Sequence, residues 1–439
     1  VDGPITRWHQ DLNGDGQVNG DDKAYIFITL RRGGQSFYAL DVTNRTSPKL
    51  LWEAHGEYPA DFPTANKPTL TLGYEHLGQT WGRLEPATIR TGKDATGKDI
   101  TKVVLFTSGG YDPIEDGDSA NGTSATGPFS RIAHSKGNTI YMIDALTGEV
   151  LLDAQEDLPS SVASQMTSSF PSNVAPLDIT GDGYANMIYA TDVGGRIWRM
   201  DLNSADSSLD GGQIVADLHT GSGANNRRIY NEVDVIGDKD ADLIYLSIGT
   251  GNRSHPKMTG ISNFHYIIKD SLSAPRAGII TPSDLAEWPD ISDNGWYIPL
   301  TQAGEKALAR SNTIGDQILF TSFTPRAQVP GSCDVRPGTG KVYKINLSTH
   351  SLQTANLASG GIPPMPMLIP PKRKDRPAPC NTPGNCSIPD EPGYSVQVCT
   401  EPGACSHLRP HESVLHIGYP ILLNKTKHIT NIQKMTSPN

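Results

Sequence analysis

The stretch LDITGDGYANMIYATDVGGRIWRMDLNS, residues 177–204, decides how the rest of the chain is read. It opens on an Asp- and Gly-rich turn (178–186) and runs directly into the apolar segment NMIYATD (186–192). It then reverses at Val-Gly-Gly-Arg (193–196) and returns along IWRMDL. Short runs of Val, Ile, Tyr and Trp bounded by Gly and Asp read as two strands joined by a tight turn.

The second strand carries a pattern that recurs: an aromatic residue, any residue, an apolar residue, then Asp or Asn. It is found as YALDVT (38–43), YMIDALTGEVL (141–151), WRMDLNS (198–204), YIIKDSL (266–272, with one insertion) and YKINLSTHSL (343–352). Each copy has an apolar strand upstream: AYIFITL (24–30), KVVLFTSGG (102–110), NMIYATD (186–192), DLIYLSIGTG (242–251) and QILFTSF (317–323). The Asp or Asn followed by Thr, Ser or Gly supplies the next turn. The runs are apolar at consecutive positions, as in sheets covered on both faces. One small sheet per repeat, packed face to face around an axis, is a β-propeller. The reading is all-β: a modified quinoprotein-like β-propeller with long inter-strand insertions. Five blades are identifiable, against six or seven in an intact domain, and segment 412–424 (ESVLHIGYPILLN) offers strands for another.

The propeller is assigned to residues 1–350. Residues 351–439 read as a Pro- and Cys-rich insertion or a tail completing the last blade. Within it CNTPGNC (380–386) and CTEPGAC (399–405) share a pattern whose Pro-Gly turn brings the flanking cysteines together. The pairs Cys380–Cys386 and Cys399–Cys405 are the first choice of three connectivities and imply an oxidising compartment. Cys333 is left over.

Formal net charge is −10, which disfavours a phosphate-backbone partner and favours cations. No apolar run reaches the roughly 18 residues of a membrane span. The opening VDGPITRWHQ lacks a signal peptide's basic and apolar regions, so a removed leader or an internal piece of a longer chain is expected.

The strongest chemical signal is a nine-residue turn used twice, DLNGDGQVN (11–19) and DITGDGYAN (178–186). Oxygen-bearing side chains at positions 1, 3, 5 and 9 around a glycine turn suit Ca²⁺, a hard cation that takes oxygen ligands in flexible geometry. The first turn offers Asp11, Asn13, Asp15, the Gln17 carbonyl, Asn19 and, at position 12, Asp22. The second offers Asp178, Thr180, Asp182, the Tyr184 carbonyl and Asn186. Position 12 there is Tyr189, inside a strand, so closure must come from elsewhere. With two carboxylates against three, weaker binding is expected at the second turn, and one or two Ca²⁺ ions in all.

Catalytic patterns are poor: there is no H-E-x-x-H, G-x-S-x-G or P-loop. The acidic run Asp112, Glu115, Asp116 and Asp118 reads as a solvated loop, and Trp52, Trp81 and Trp198 as blade packing.

Several segments together resemble a known family: RRGGQSFYALDVT (31–43), GQTWGR (78–83), FTSGGYDP (106–113), GNTIYMIDALTGEVL (137–151), 177–202 and IGTGNRSHP (248–256). They resemble, in order, the C-terminal domain of the PilY family of type IV pilus biogenesis and tip-associated adhesion factors. The resemblance covers about residues 1–350. It implies a quinoprotein-like propeller and calcium at Asp178, Thr180, Asp182, Tyr184 and Asn186 controlling pilus extension against retraction. It further implies roles in twitching motility, adhesion and virulence, with pilins or the pilus machinery and a host-cell or abiotic surface as partners. The implied location is the surface of a Gram-negative bacterium, at the pilus tip or outer membrane. The family turn usually has an acidic or amide residue at position 3, where Thr180 stands here, and often Asp at position 9, where Asn186 stands. Alternatives are a pyrroloquinoline-quinone dehydrogenase propeller, a dockerin-type module, suggested by DLNGDGQVNGDD, and a surface adhesin unrelated to pili.

Overall fold

The computed structural model describes residues 2–58, 63, 65, 67–116, 133–219, 225–238, 241–326, 337–358, 360–369, 395–401 and 404–408, of which 367–369, 395–401 and 404–408 are described by backbone alone. Cys333, Cys380, Cys386 and segment 412–424 lie outside the described residues.

The described chain forms six small sheets laid down one after another. The first holds β1 (Ile5–Gln10), β2 (Lys23–Ile28), β3 (Ser36–Asp41) and β4 (Lys49–His55) in that order. The second holds β5 (Glu85–Lys93), β6 (Asp99–Ser108), β7 (Ile140–Asp144) and β8 (Val150–Asp153). The third holds β9 (Ala175–Leu177), β10 (Met187–Thr191), β11 (Arg196–Leu202) and β12 (Leu209–Asp217). The fourth runs β13 (Asp234–Asp238), β14 (Leu243–Gly249), β15 (Phe264–Ser271) and β17 (Gly295–Pro299), with β16 (Ala286–Glu287) added parallel at its edge. The fifth holds β18 (Asn312–Ile314), β19 (Gln317–Thr324), β20 (Thr339–Asn346) and β21 (Ser351–Asn356). A sixth, three-stranded sheet holds β22 (Met367–Ile369), β23 (Ser395–Glu401) and β24 (Ala404–Leu408), whose backbone register sets Cys399 opposite Cys405. Neighbours in the first three and the fifth pair antiparallel in chain order, the meander of a propeller blade.

The consecutive apolar residues have a direct structural cause. Successive side chains on a strand point to opposite faces, so a sheet with a neighbour on each side needs apolar residues at every position. On β10, Ile188 and Ala190 pack toward the second sheet beside Phe106 and Met142, whereas Met187 and Tyr189 pack toward the fourth beside Leu246 and Tyr266. Strand β7 divides the same way, Ile140 and Met142 facing the third sheet, Tyr141 and Ile143 facing Phe37 and Trp52 of the first. Tyr266 and Ile267 of β15 split between the third and fifth sheets. The core is thus a series of inter-blade layers, and the molecule is an all-β propeller.

In the first, second and fifth blades the recurring Asp or Asn starts the turn after the third strand by accepting backbone N–H groups, whereas Asp201 and Asp270 take side-chain bonds from Arg199 and Tyr189. Asp41 Oδ1 accepts from Thr43 N (2.9 Å), Asp144 Oδ1 from Leu146 N (2.8 Å) and Asn346 Oδ1 from Thr349 N (2.6 Å). Those turns share a face of the molecule with the turns joining the first and second strands, which include both Asp-Gly turns. Among the described residues no helix is long and apolar enough to cross a membrane.

Candidate metal centre

The first Asp-Gly turn joins β1 to β2, which close below it at the pair Gln10 and Lys23. Its backbone bends through Gly14 (φ 75°) and Gly16 (φ 73°), conformations that cost an L side chain energy. A Cβ at Gly14 would meet nothing within 4 Å, so backbone angle alone requires that glycine. The bend aims amides inward: Asp11 accepts from Gly14 N (2.7 Å) and Gly16 N (2.8 Å), and Asp15 Oδ1 from Gln17 N (2.7 Å). Asp22, only 2% exposed, closes the turn by accepting from Leu12 N (2.9 Å) and Asn19 N (3.2 Å). The amide of Asn13 donates to Asn19 (2.9 Å), and that of Asn19 to Asp15 Oδ2 (2.7 Å). The hydrogen bond from Asn19 and that from Gln17 N hold the Asp15 carboxyl below its usual range.

These contacts bring oxygens of Asp11, Asp15 and Asp22 within 4.8 Å of one another. No lysine or arginine among the described residues forms an ion pair with any of the three. Three convergent carboxylates plus the amide oxygens of Asn13 and Asn19 make a donor set of hard oxygens, which fits Ca²⁺. Gln17, at position 7, is exposed beside them.

The second turn joins β9 to β10 above the pair Leu177 and Met187. It repeats the first bond for bond at its start: Asp178 accepts from Gly181 N (2.5 Å) and Gly183 N (2.8 Å), and Asp182 Oδ1 from Tyr184 N (3.2 Å). It closes differently. The N–H at position 2, which meets Asp22 in the first turn, here meets Asn186 Oδ1 (Ile179 N, 2.9 Å), and Asn186 also donates to Thr180 Oγ1 (2.8 Å). Tyr189, at position 12, points elsewhere, its hydroxyl donating to buried Asp270 (2.6 Å). The second turn therefore gathers two carboxylates, and a cation faces Asp182: Arg90 Nη2 donates to Asp182 Oδ2 at 3.2 Å. Arg90 lies 92 residues earlier in the chain, and no spacing rule could have found it.

The acidic run after Gly110 does not form a solvated loop. Glu115 is 7% exposed, accepting from His134 Nε2 (3.0 Å) and Arg228 Nε (2.5 Å). Burial pushes its carboxyl up, but His134 and Arg228 outweigh that and hold it below its usual range. Asp116 takes a two-pronged contact from Arg32 (2.5 and 2.8 Å), whose guanidinium lies over Trp81 and Tyr111. The Tyr111 hydroxyl reaches Ser254 (2.6 Å), so residues from the first, second and fourth sheets meet here. The charges that looked free in sequence are spent on joining blades. Asp112 is 9% exposed, and Asp118 lies outside the described residues.

No family model matches the chain. A type IV pilus biogenesis factor, the PilY1 homolog of Xylella fastidiosa, is 23% identical over 354 residues. That match covers 72% of this chain and 21% of the relative, so the chain spans about a fifth of the relative's length. The crystal structure of the Pseudomonas aeruginosa PilY1 C-terminal domain superposes with a TM-score of 0.57 at 16% identity, covering 94% of this chain and 85% of that one. The Saccharomyces cerevisiae protein Sqt1 follows at a TM-score of 0.42 and 11% identity, over 85% of this chain and 66% of its own. In sequence the chain is thus similar to a PilY1 homolog, and in fold to the C-terminal propeller domain of PilY1.

Proposed function

We propose that the chain is a calcium-binding propeller of the type IV pilus system. In this reading it acts at the bacterial surface by binding and regulation, not catalysis. The observation that carries the calcium reading is the convergence of Asp11, Asp15 and Asp22 within 4.8 Å with no paired lysine or arginine among the described residues. The pilus association rests on the relative's identity as a pilus biogenesis factor. In the first turn Asp11, Asn13, Asp15, the Gln17 carbonyl, Asn19 and Asp22 would hold the ion. In the second, Asp178, Thr180, Asp182, the Tyr184 carbonyl and Asn186 would do so. Bound Ca²⁺ supplies positive charge that cancels carboxylate repulsion. The chain's own part is to pre-form each turn: backbone amides orient Asp11 and Asp178, and Asp22 or Asn186 clamps the second residue of the turn. Because the turns enter β2 and β10 directly, their order sets how two blades begin on one face. Ordering that face would favour binding of pilins, assembly components or a host-cell or abiotic surface, and so pilus extension, twitching and adhesion.

The test is genetic. Asp11, Asp15 and Asp22 are replaced by alanine in the bacterium that encodes the chain, with protein level held constant. The reading expects altered surface pilus number and reduced twitching; wild-type pili and motility would overturn it.

A further inference from the structure

The two turns differ in what faces the carboxylate at position 5. Asp15 Oδ2 accepts from the neutral amide of Asn19 (2.7 Å), whereas Asp182 Oδ2 accepts from the guanidinium of Arg90 (3.2 Å). Arg90 is held for that task. It leaves β5 beside an irregularity in the β5–β6 pairing, donates to Asp99 Oδ2 (3.1 Å) and to the Ser204 carbonyl, and stacks with its guanidinium carbon 4.5 Å from the Tyr184 ring centroid. Its side chain is only 15% exposed. Its own N–H donates to Ser207 Oγ (3.1 Å), and Ala185 N donates to the Thr88 carbonyl two residues before it (3.1 Å). Arg90 therefore sits where the β5–β6 hairpin of the second blade meets two turns of the third.

We infer that Arg90 is a tethered counter-cation of the second turn, competing with Ca²⁺ for Asp182 and coupling calcium to the junction of the second and third blades. The inference rests on the calcium reading of that turn. Without calcium, Arg90 neutralises part of the charge of Asp182 and ties the hairpin to the turn. A divalent ion entering the turn is repelled by the guanidinium, and Asp182 must exchange one cation for the other. Arg90 keeps Asp99 when it lets go. The second turn thus gains a higher calcium threshold than the first from a specific residue as well as from its smaller carboxylate count.

The test is Tb³⁺ luminescence sensitised by Tyr184, with Ca²⁺ as competitor, on the whole 439-residue chain; Tyr184→Phe identifies the signal of the second turn. Arg90→Gln removes the charge and shortens the side chain, and is expected to tighten Ca²⁺ at this turn by about tenfold. Asp99→Asn removes the alternative partner, commits Arg90 to Asp182, and is expected to weaken Ca²⁺ several-fold. Tyr184-dependent binding that is unchanged or weaker in Arg90→Gln, or shifted the same way by both variants, overturns the inference and leaves the calcium reading standing. A Tyr184-dependent signal missing from both wild type and Arg90→Gln removes the calcium reading of the turn and the inference with it.

Discussion

Asp22→Asn separates the calcium-free from the calcium-loaded behaviour of the first turn. Asp22 is buried, and its oxygens lie within 4.8 Å of those of Asp11 and Asp15. At that separation two unit charges repel by about 0.9 kcal/mol in a water-like dielectric, and Asp22 faces two of them, so neutralising it relieves about 2 kcal/mol. Against this, its carboxylate accepts from Leu12 N and Asn19 N. Asparagine keeps one of these acceptors without the charge, a loss of about 2 kcal/mol. The terms nearly cancel, and without calcium the variant should unfold within about 1 kcal/mol of wild type. With calcium at a hundred times its dissociation constant, wild type gains about 2.7 kcal/mol. Losing one carboxylate of three weakens a divalent ion by about tenfold, so the variant gains only about 1.4 kcal/mol. Urea unfolding of both proteins, in excess chelator and in excess calcium, reads both numbers. An equal calcium-dependent shift in the two proteins would refute the reasoning. So would a chelator-side loss of more than about 3 kcal/mol, which would make Asp22 a structural residue first.

Other consequences follow from the blade contacts. Gly148 has φ 75°, and a Cβ there would lie 2.7 Å from Trp52 Cδ2. Gly148→Ala should therefore cost about 2–4 kcal/mol in urea unfolding while leaving the calcium shift intact; a neutral effect would contradict this packing of the first blade on the second. His76 is held above its usual pKa by its hydrogen bond with Asp153 (3.0 Å), against partial burial, with the charges of Asp153 and Glu156 adding to the rise and that of Lys136 opposing it. A raised pKa stabilises the folded state fully below the unfolded value and is lost as pH rises through the folded one. The stability advantage of wild type over His76→Gln should thus be largest below the ordinary histidine value of about 6.5 and shrink as pH rises above it; an advantage that stays flat or grows would count against the pair.

What sequence could and could not show follows the range of the forces involved. The Asp-Gly turns were legible because their order is local: Asp11 to Gly16 and Asp178 to Gly183 are bonded within five residues. The third strands of the first, second and fifth blades were legible because Asp41, Asp144 and Asn346 act on N–H groups two or three residues on. The short first strand β9 and the parallel strand β16 carry too few residues for any periodicity to emerge. Asn186 was legible as an oxygen donor, but its substitution for Asp22 as the clamp shows only when both turns are folded. Glu115 was misread because its neutralising partner Arg228 lies 113 residues away. Arg90 was missed for the same reason: ion pairs between blades depend on how the ring closes, and composition says nothing of that.

The most direct measurement is calorimetric titration of Ca²⁺ into the chelator-stripped chain. The account predicts two binding events, the tighter abolished by Asp15→Asn and the weaker by Asp182→Asn. Heat absent at millimolar calcium, or binding indifferent to both substitutions, would contradict it.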